Sequence, residues 1–330
     1  MDVIGISTVH GNASLKKTTN NALSVLEAIG KSNIPVHPGA EKPFCRHVET
    51  APDIHGESGL DGTQLLPKPK RLPLTACNAV KDMRDALMSC PRGTGWLVAT
   101  GTLTNISLLF ATFPEVAPHI KGLSIMGGAI GDGFANVPVG PEYADVNGKL
   151  HPRIGNWTPF AEFNIWCDPE AAQSVLQNPV LKPKTTLIPL DVTHQAFANK
   201  QIQDTLLKSE RFSTKEPTRL RKMFNELLMF FAHTYAEVFH LKEGPPLHDP
   251  LAVAVLLSDH SDSDTRIQFD DRDGERWDVN VILAGEQIGR TVAIPSKDGL
   301  RIPRTLDLVH FWKVLNHSMT AAEQATGLVD

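Results

Sequence analysis

The sequence contains no long run of apolar residues and no leader-like start. A membrane-spanning helix requires about 18 or more consecutive apolar residues, and a secretory signal requires a basic region followed by an apolar one. Neither pattern occurs in the printed sequence. From these absences we expect a cytoplasmic protein that has no membrane as its partner.

Clusters of basic residues are also lacking. The chain has 37 acidic and 32 basic residues, which give a formal net charge of −5. Proteins that bind nucleic acids or anionic membranes usually concentrate Lys and Arg on one face. The charge distribution therefore indicates that no nucleic acid is a partner.

Motifs for zinc, redox and dinucleotide chemistry are missing as well. The four cysteines show no CxxC or CxxH spacing, so they predict neither a zinc site nor a redox pair. The glycines of residues 127–133 do not match GxGxxG, and the chain has no GKS or GKT loop. An enzyme that uses a nucleotide cofactor is therefore a disfavoured alternative.

What the chain does contain is a regular alternation of strand and helix patterns. Hydrophobic residues make up 41% of it, which suffices for a large core. Apolar runs predict strands at residues 3–9, 96–99, 123–126 and 186–190, and helical periodicity follows the first two closely. We expect an α/β fold with a mostly parallel open sheet flanked by helices and a Rossmann-like core, in one domain over residues 1–330.

Polar motifs follow several of the predicted strands. They are HGN after residue 9, TG after residue 99, GG after residue 126 and DVT after residue 190. In open parallel sheets, ligands bind outside the carboxyl ends of the strands. The position of these motifs favours an enzyme over a structural protein.

The polar residues within 155–172, GNWTPFAEFNIWCDPEAA, are the densest group of possible ligand contacts. Asn156, Thr158, Glu162 and Asn164 occur within nine residues, and Asp168 then predicts the N-cap of a helix. A carboxylate between two carboxamides is suited to vicinal hydroxyl groups, because it offers donors and acceptors at fixed angles. The structural alternative is a polar surface loop before a capped helix.

A long loop at residues 38–73 is rich in proline and carries the sequence HGESG at residues 55–59. Loops of this length inside a compact domain are usually functional or disordered. Its polar, glycine-rich tip is typical of a lid over a binding site.

Taken together, the motifs STVHGN, IHGESGLDG, TGTLTN, IMGG, AEFNIWCDPEAA and HDP resemble one family in the same order along the chain. This family is the inosine/uridine-preferring nucleoside hydrolases, which are calcium-dependent enzymes that cut the N-glycosidic bond of ribonucleosides. The resemblance implies a small ribonucleoside as substrate and free base and ribose as products. It also implies a homodimer or homotetramer.

The resemblance assigns the metal and the base to four residues. The backbone carbonyl of Thr100 and the carboxylate of Asp249 would bind Ca²⁺, and Asp249 would also contact the substrate. His55 and His248 would lie near the base, and His248 would protonate the leaving base. Calcium takes oxygen ligands, and an oxocarbenium-like transition state is helped by a protonated leaving group.

The resemblance assigns the ribose to the side chains of Asn12, Met126, Asn156, Glu162 and Asn164. Asn164 would act with His248 as a catalytic residue, and Asn12 would also support the metal ligands. Without the resemblance, Met126 is as readily a core residue and Asn12 as readily a turn residue or a helix cap.

The sequence departs from the family in one respect. Family members begin with a strand that ends in DxDxxxDD, whose carboxylates supply most calcium ligands and the base that activates water. The printed sequence has no such pattern, and Asp2 precedes the first predicted strand. We therefore expect the first strand of the fold to be missing, calcium binding to be weakened and this chain to be inactive, with a longer natural product. The alternative is a non-catalytic relic that binds nucleosides or ribose, or that assembles with a complete paralogue.

A second departure is the long segment at residues 129–154, which carries three prolines. As an insertion it could shape the base pocket or an oligomer contact, and the pattern does not decide between them. The preference between purine and pyrimidine nucleosides also stays open, although the HGESG loop favours a specificity that includes pyrimidines.

Overall fold

The computed structural model describes residues 1–76, 78–135, 137, 139–209 and 216–326. Within these ranges the strands are β1 (Ile6–Thr8), β2 (Val36–Pro38), β3 (Trp96–Ala99), β4 (Gly122–Met126), β5 (Tyr143–Ala144), β6 (Leu150–His151), β7 (Thr185–Ile188), β8 (Phe269–Asp270), β9 (Arg276–Val281), β10 (Thr291–Pro295), β11 (Leu300–Arg301) and β12 (Thr305–Leu306). The helices are α1 (Leu15–Ala28), α2 (Pro52–His55), α3 (Ala79–Ser89), α4 (Thr104–Thr112), α5 (Val116–His119), α6 (Phe163–Cys167), α7 (Pro169–Leu176), α8 (Leu190–Thr193), α9 (Lys200–Leu207), α10 (Arg219–Val238), α11 (Asp249–Ala254) and α12 (Leu308–Thr326).

A mixed, mostly parallel sheet of six strands lies at the centre. Its order is β10-β9-β11-β7-β4-β3, and β3, β4, β7 and β11 pair in parallel while β9 and β10 form an antiparallel hairpin. Ala99 is in register with Ile125, and Met126 is in register with Ile188. The polar motifs that follow β3, β4 and β7 therefore leave the same edge of the sheet. The predicted α/β fold and the strand at residues 96–99 are confirmed.

The first predicted strand lies outside this sheet. Its regular part is only β1, which pairs in parallel with β2 in a separate two-stranded sheet. The side chain of Asn105 connects this sheet to α4, because its amide donates to the carbonyl of Thr8 at 2.9 Å while its oxygen accepts from Ala40 N at 2.8 Å. The expected strand at residues 3–9 is therefore too long, and residues 3 and 4 are exposed.

The central sheet is buried on both faces. Leu123, Ile125 and Leu187 pack with α4 and α7, whereas Met126 and Ile188 pack on the other face with α11 and α12. Burying a side chain of this size contributes roughly 1.5–3 kcal/mol. Burial on both faces explains why these strands are continuous apolar runs in the sequence.

Several predicted helix boundaries agree with local chemistry. Helix α1 ends just before Gly30, whose φ of +67° suits a residue without a Cβ atom. Asp168 caps α7 as predicted, because its carboxylate accepts a hydrogen bond from Ala171 N at 3.2 Å. Helix α10 starts at Arg219, since Thr218 supplies the cap.

Other predictions differ from the structure. Residues 189 and 190 do not continue β7, because Asp191 accepts hydrogen bonds from Ile130 N and Gly131 N and α8 begins at Leu190. The segment at residues 129–154, which we expected to be a loop, forms the antiparallel pair β5–β6.

The last helix, α12, runs from Leu308 to Thr326. Its final turns are held by Glu323, whose carboxylate lies 2.9 Å from Nε of Arg221 on α10. Both side chains are fully buried, and Arg221 also donates to the side chain of Asn316 at 2.7 Å. Removing one partner of such a pair usually costs about 3–5 kcal/mol, so this contact fixes α12 against α10. Within the described residues, no helix has the length and apolarity needed to cross a bilayer.

Candidate active site

Glu162 is the buried centre of the predicted polar stretch. It caps α6 and accepts hydrogen bonds from three backbone amides, those of Asn164 at 2.9 Å, Ile165 at 3.0 Å and Gly128 at 3.0 Å. Burial raises the pKa of this carboxyl, and the three amides oppose the shift. Since a carboxylate offers about four acceptor positions, about one remains for a ligand hydroxyl. Glu162 thus fixes the turn after β4 to the start of α6.

Asn164 lies directly beside Met126. Its amide nitrogen is 3.4 Å from Sδ and 3.5 Å from the carbonyl oxygen of Met126, and both residues are buried. Met126 also belongs to the hydrophobic core under α11. The structure therefore brings these two predicted ribose contacts together, and Met126 packs in the core as well.

Tyr235 connects two residues that the sequence analysis assigned to different parts of the substrate. Its hydroxyl lies 2.7 Å from Nε2 of His248 and forms a hydrogen bond with the side chain of Asn156. Asn156 in turn accepts from Phe163 N at 3.0 Å, which attaches it to α6. The predicted base contact and the predicted ribose contact therefore belong to one hydrogen-bonded unit.

The imidazole of His248 is held on both ring nitrogens. Nδ1 lies 2.8 Å from the hydroxyl of Thr193 on α8, and the ring of His194 lies 5.4 Å from it, centre to centre. Burial, with smaller effects from His194 and His55, lowers the pKa of His248 well below its usual value. His248 is therefore neutral at pH 7, and each ring nitrogen has a fixed partner.

His55 approaches the same group from the loop at residues 38–73. It ends α2, its ring packs edge-on against Phe231 at 5.3 Å, and burial lowers its pKa to about 4. His55 is close enough to His248 to lower the pKa of that residue. The structure therefore places both predicted base contacts together.

The loop that carries His55 is held at several points. Asp61 accepts hydrogen bonds from Glu57 N and Ser58 N, and Asn21 of α1 donates to the carbonyl of Ser58 at 2.9 Å. Further along, the hydroxyl of Thr63 donates to Glu226 on α10 at 2.5 Å. The segment predicted as a lid is thus bonded to helices on both sides.

Asp249 is the first residue of α11 and directly follows His248. The residue is exposed, although protein atoms surround its carboxylate. Loss of solvent around the carboxylate, and then the charge of Glu162, raise the pKa of Asp249 to about 7. Glu162 and Asp249 therefore form a pair of acidic groups that repel one another.

Asn12 and Thr100 lie in neighbouring turns after β1 and β3. The hydroxyl of Thr102 donates to the carbonyl of His10 at 2.9 Å, which joins the two turns. The carbonyl of Asn12 accepts from Ala51 N at 3.3 Å, next to the helix that carries His55. Thr100 follows β3, and α11, which begins at Asp249, packs against β3. Thr100 therefore lies at the predicted edge of the central sheet, whereas Asn12 follows β1 of the separate two-stranded sheet, in the turn beside that edge.

The described donors do not form a complete calcium shell. Calcium takes about 6–8 oxygen ligands, whereas Asp249 and the carbonyl of Thr100 offer at most three protein oxygens. Glu162 uses most of its acceptor capacity on backbone amides. Within the described residues, no group of three or more His, Cys, Asp or Glu side chains is arranged to hold a metal ion. Asp249 and the carbonyl of Thr100 could therefore contribute ligands to Ca²⁺, but these two residues alone would bind it weakly.

Sequence patterns did not indicate Tyr235, Thr193 or His194 as residues of the site. One signal was present, because Tyr235 is one of only two tyrosines in the chain and follows Phe231 by four residues on the same helix face. No local pattern connects Tyr235 or Thr193 to His248.

Comparison with known proteins gives consistent matches over most of the chain. A sequence model of the inosine-uridine preferring nucleoside hydrolases matches residues 1–313. Uridine nucleosidase of Saccharomyces cerevisiae is 34% identical over 332 residues, which cover 98% of this chain and 89% of the yeast protein. The pyrimidine-specific ribonucleoside hydrolase RihA of Citrobacter koseri is 39% identical over 258 residues, covering 78% of this chain and 71% of the bacterial protein. These matches lend no support to a missing aspartate segment, which stays a prediction.

Solved structures share the fold. A purine-preferring ribonucleoside hydrolase from Gardnerella vaginalis superimposes with a TM-score of 0.76 at 24% identity, covering 99% of this chain and 91% of the other. A plant nucleoside hydrolase gives a TM-score of 0.75 at 23% identity, covering 97% and 91%.

Proposed function

The chain belongs to the family of inosine-uridine preferring nucleoside hydrolases, and from this premise we propose that it hydrolyses the N-glycosidic bond of ribonucleosides to free base and ribose. The observation that carries the proposal is the hydrogen-bonded unit of His248, Tyr235 and Asn156. A glycosidic bond breaks between a base and a sugar, and this unit joins the predicted base contact to a predicted ribose contact. Movement of the base at His248 is therefore coupled, through Tyr235, to Asn156, which contacts the ribose.

The side chains have separable tasks in this proposal. Asn12, Asn156 and Asn164 hold ribose hydroxyls, and the free acceptor position of Glu162 takes one more. His248 gives a proton to the departing base from its imidazolium form and returns to the neutral ring, which burial favours. A protonated base is a better leaving group. Thr193 and Tyr235 keep the imidazole in place, and His55 lies beside it at the base.

For the metal we propose that Asp249 and the carbonyl of Thr100 contribute ligands to Ca²⁺, which would stabilise the bound ribose through its hydroxyls. The support is electrostatic, because a divalent cation would remove the repulsion between Asp249 and Glu162. With at most three protein oxygens from these two residues, we expect weak binding. Calcium should therefore be required at high concentration.

For the substrate we propose that pyrimidine nucleosides, uridine included, are accepted. The support is the identity to the yeast uridine nucleosidase and to the pyrimidine-specific bacterial hydrolase. Inosine is the appropriate competitor, because it offers the same ribose with a purine base.

The test is ribose release from uridine and from inosine, measured with calcium and with a chelator. The proposal predicts ribose from uridine that increases with added calcium. If the rate of ribose formation is the same with calcium and with the chelator, the metal proposal is contradicted but the proposal of hydrolase activity still holds. A change of Asp249→Asn should shift the calcium requirement upward, whereas the same change at the exposed Asp298 should leave it unaltered.

A second candidate is nucleoside binding without turnover. The incomplete calcium donor set favours it, since no group of three or more His, Cys, Asp or Glu side chains among the described residues is arranged to hold a metal ion. Calorimetry with uridine distinguishes the two functions. Saturable binding without any ribose release would favour the binding protein and contradict the hydrolase.

A further inference from the structure

A cavity of about 490 Å³ lies under the β5–β6 hairpin. Its walls come from the loop after β4, from the hairpin, from residues 152–154 and from Arg290. None of the side chains assigned to the nucleoside lines it. Its volume is in the range of sites for small organic molecules, so this is a second candidate binding site in the molecule.

Arg153 is the unusual charge in the wall of this cavity. Its guanidinium is partly buried, and Nε and Nη2 donate to the carbonyls of Gly155 at 2.8 Å and Trp157 at 3.2 Å. Burial lowers the pKa of Arg153, and no neighbouring acid opposes that shift. Among the described residues, no carboxylate forms an ion pair with it. A partly buried charge without a counter-ion is costly.

The other charges around the cavity are accounted for. Arg290 pairs with Asp132 at 2.6 Å, and His151 lies 3.0 Å from Asp145. The two carboxylate oxygens of Asp191 accept backbone amides at 2.8 and 2.9 Å. Among the described cations that line the cavity, Arg153 is therefore the one without a carboxylate partner.

Aromatic rings form the wall near Arg153. Tyr143 packs edge-on against Phe160 with ring centres 5.2 Å apart, and it stacks on His151 at 5.5 Å. A planar group can pack against such rings, and a guanidinium fork matches the oxygens of a phosphate or carboxylate. The wall thus combines an apolar, planar surface with one cation.

We propose that this cavity binds a small organic oxyanion, in which a phosphomonoester or carboxylate group meets Arg153 and an attached planar ring packs against Tyr143. Nη1 of Arg153 has no hydrogen bond within the described part of the chain, so it is the donor that meets the anion. The site is separate from the nucleoside site, although Asn156 lies between the two carbonyls that hold Arg153.

Phenyl phosphate and benzoate are suitable probes, because each carries a planar ring and an oxyanion but no ribose. Isothermal titration calorimetry on the full chain should show one site per chain for at least one of them, and uridine should not displace it. The probe that binds more tightly shows whether the site prefers a phosphomonoester or a carboxylate group. Inorganic phosphate, which has no ring, should bind more weakly.

Variants locate the site. Arg153→Met should weaken the tighter probe by about tenfold or more, the usual effect of losing a charge-assisted hydrogen bond. Arg153→Lys should weaken it less, because the charge is kept. Tyr143→Ala should weaken the ring-bearing probe and leave inorganic phosphate unchanged. Arg92→Met, at an exposed arginine, is the matched control and should bind as the parent does.

The result is decisive in each case. Lack of binding of both probes to the parent chain, or equal affinity of the parent and Arg153→Met, would overturn the proposal. If Arg153→Met does not fold, as judged by circular dichroism, Arg153→Lys and Tyr143→Ala decide it. Because the probes lack ribose, this outcome is independent of whether the chain hydrolyses nucleosides.

Discussion

The hydroxyl of Tyr235 lies 2.7 Å from Nε2 of His248 and also bonds to Asn156. Tyr235 is on α10, His248 precedes α11 and Asn156 precedes α6. One hydroxyl therefore aligns three elements around the proposed glycosidic bond. Because it is buried, its loss leaves both partners without their hydrogen bond.

The change Tyr235→Phe tests this arrangement. We expect kcat/KM for uridine to fall by roughly 10- to 100-fold, which corresponds to about 1.5–3 kcal/mol. Steady-state kinetics measure this loss. If the parent chain shows no turnover, the affinity for uridine is measured by calorimetry instead. The control is Thr205→Val, which removes an exposed hydroxyl that bonds only within α9. Unchanged kinetics in Tyr235→Phe would show that the hydroxyl has no part in the reaction.

His248→Ala tests the proton donor. We expect a large loss of kcat/KM for uridine but a small one for 4-nitrophenyl riboside, because nitrophenolate leaves without being protonated. The two substrates are compared with the same enzyme preparation. An equal loss on both would argue against proton donation and for a positioning role. His260→Ala, at an exposed histidine, should affect neither.

Features set by local chemistry were predictable from the sequence, and features set by distant contacts were not. The Asp168 cap and the strand Trp96–Ala99 follow from neighbouring residues, and both are confirmed. The contact between Thr193 and His248 joins residues 55 positions apart, and the length of α12 depends on Arg221, 102 positions from Glu323. Only the packed chain brings such pairs together.

The same distinction applies within the site. Sequence motifs indicated Glu162 as a ribose contact, but its acceptance of three backbone amides could not be inferred from its neighbours, because one of them belongs to Gly128 after β4. The structure therefore adds a structural role to the predicted functional one.

Substitutions of Glu162 separate these two roles. Glu162→Ala leaves three buried amides without their acceptor, at about 1–3 kcal/mol each, so we expect the free energy of unfolding to fall by about 3 kcal/mol or more. Glu162→Gln keeps one acceptor oxygen and should lose less stability, while uridine turnover or affinity still declines. Urea unfolding and kinetics are measured together, with Glu142→Ala as the exposed control. Equal stability of Glu162→Ala and the parent would mean that the amides find other partners.

Acid should destabilise the fold through His10. This residue is 1% exposed, and burial lowers its pKa from 6.5 to about 4. Between these two values the unfolded chain binds a proton that the folded chain does not, so stability rises with pH. The contribution of His10 is complete above pH 6.5 and is lost as the pH falls toward 4.

The prediction is quantitative in a comparison with His10→Gln, which cannot titrate and whose amide reaches about as far as Nε2, the ring atom beside the hydroxyl of Thr104. His10 lies 3.0 Å from that hydroxyl, and Thr104 donates onward to Asp168 at 2.6 Å. Since one pKa unit corresponds to about 1.4 kcal/mol, lowering the pH from 6.5 to 5 should reduce the stability of the parent by about 2 kcal/mol relative to the variant. Urea unfolding at several pH values measures this difference. The contribution of buried carboxylates to the pH dependence of stability cancels, because both proteins contain them. A difference that does not change with pH would show that the pKa of His10 is the same in the folded and unfolded chains, which would contradict the prediction.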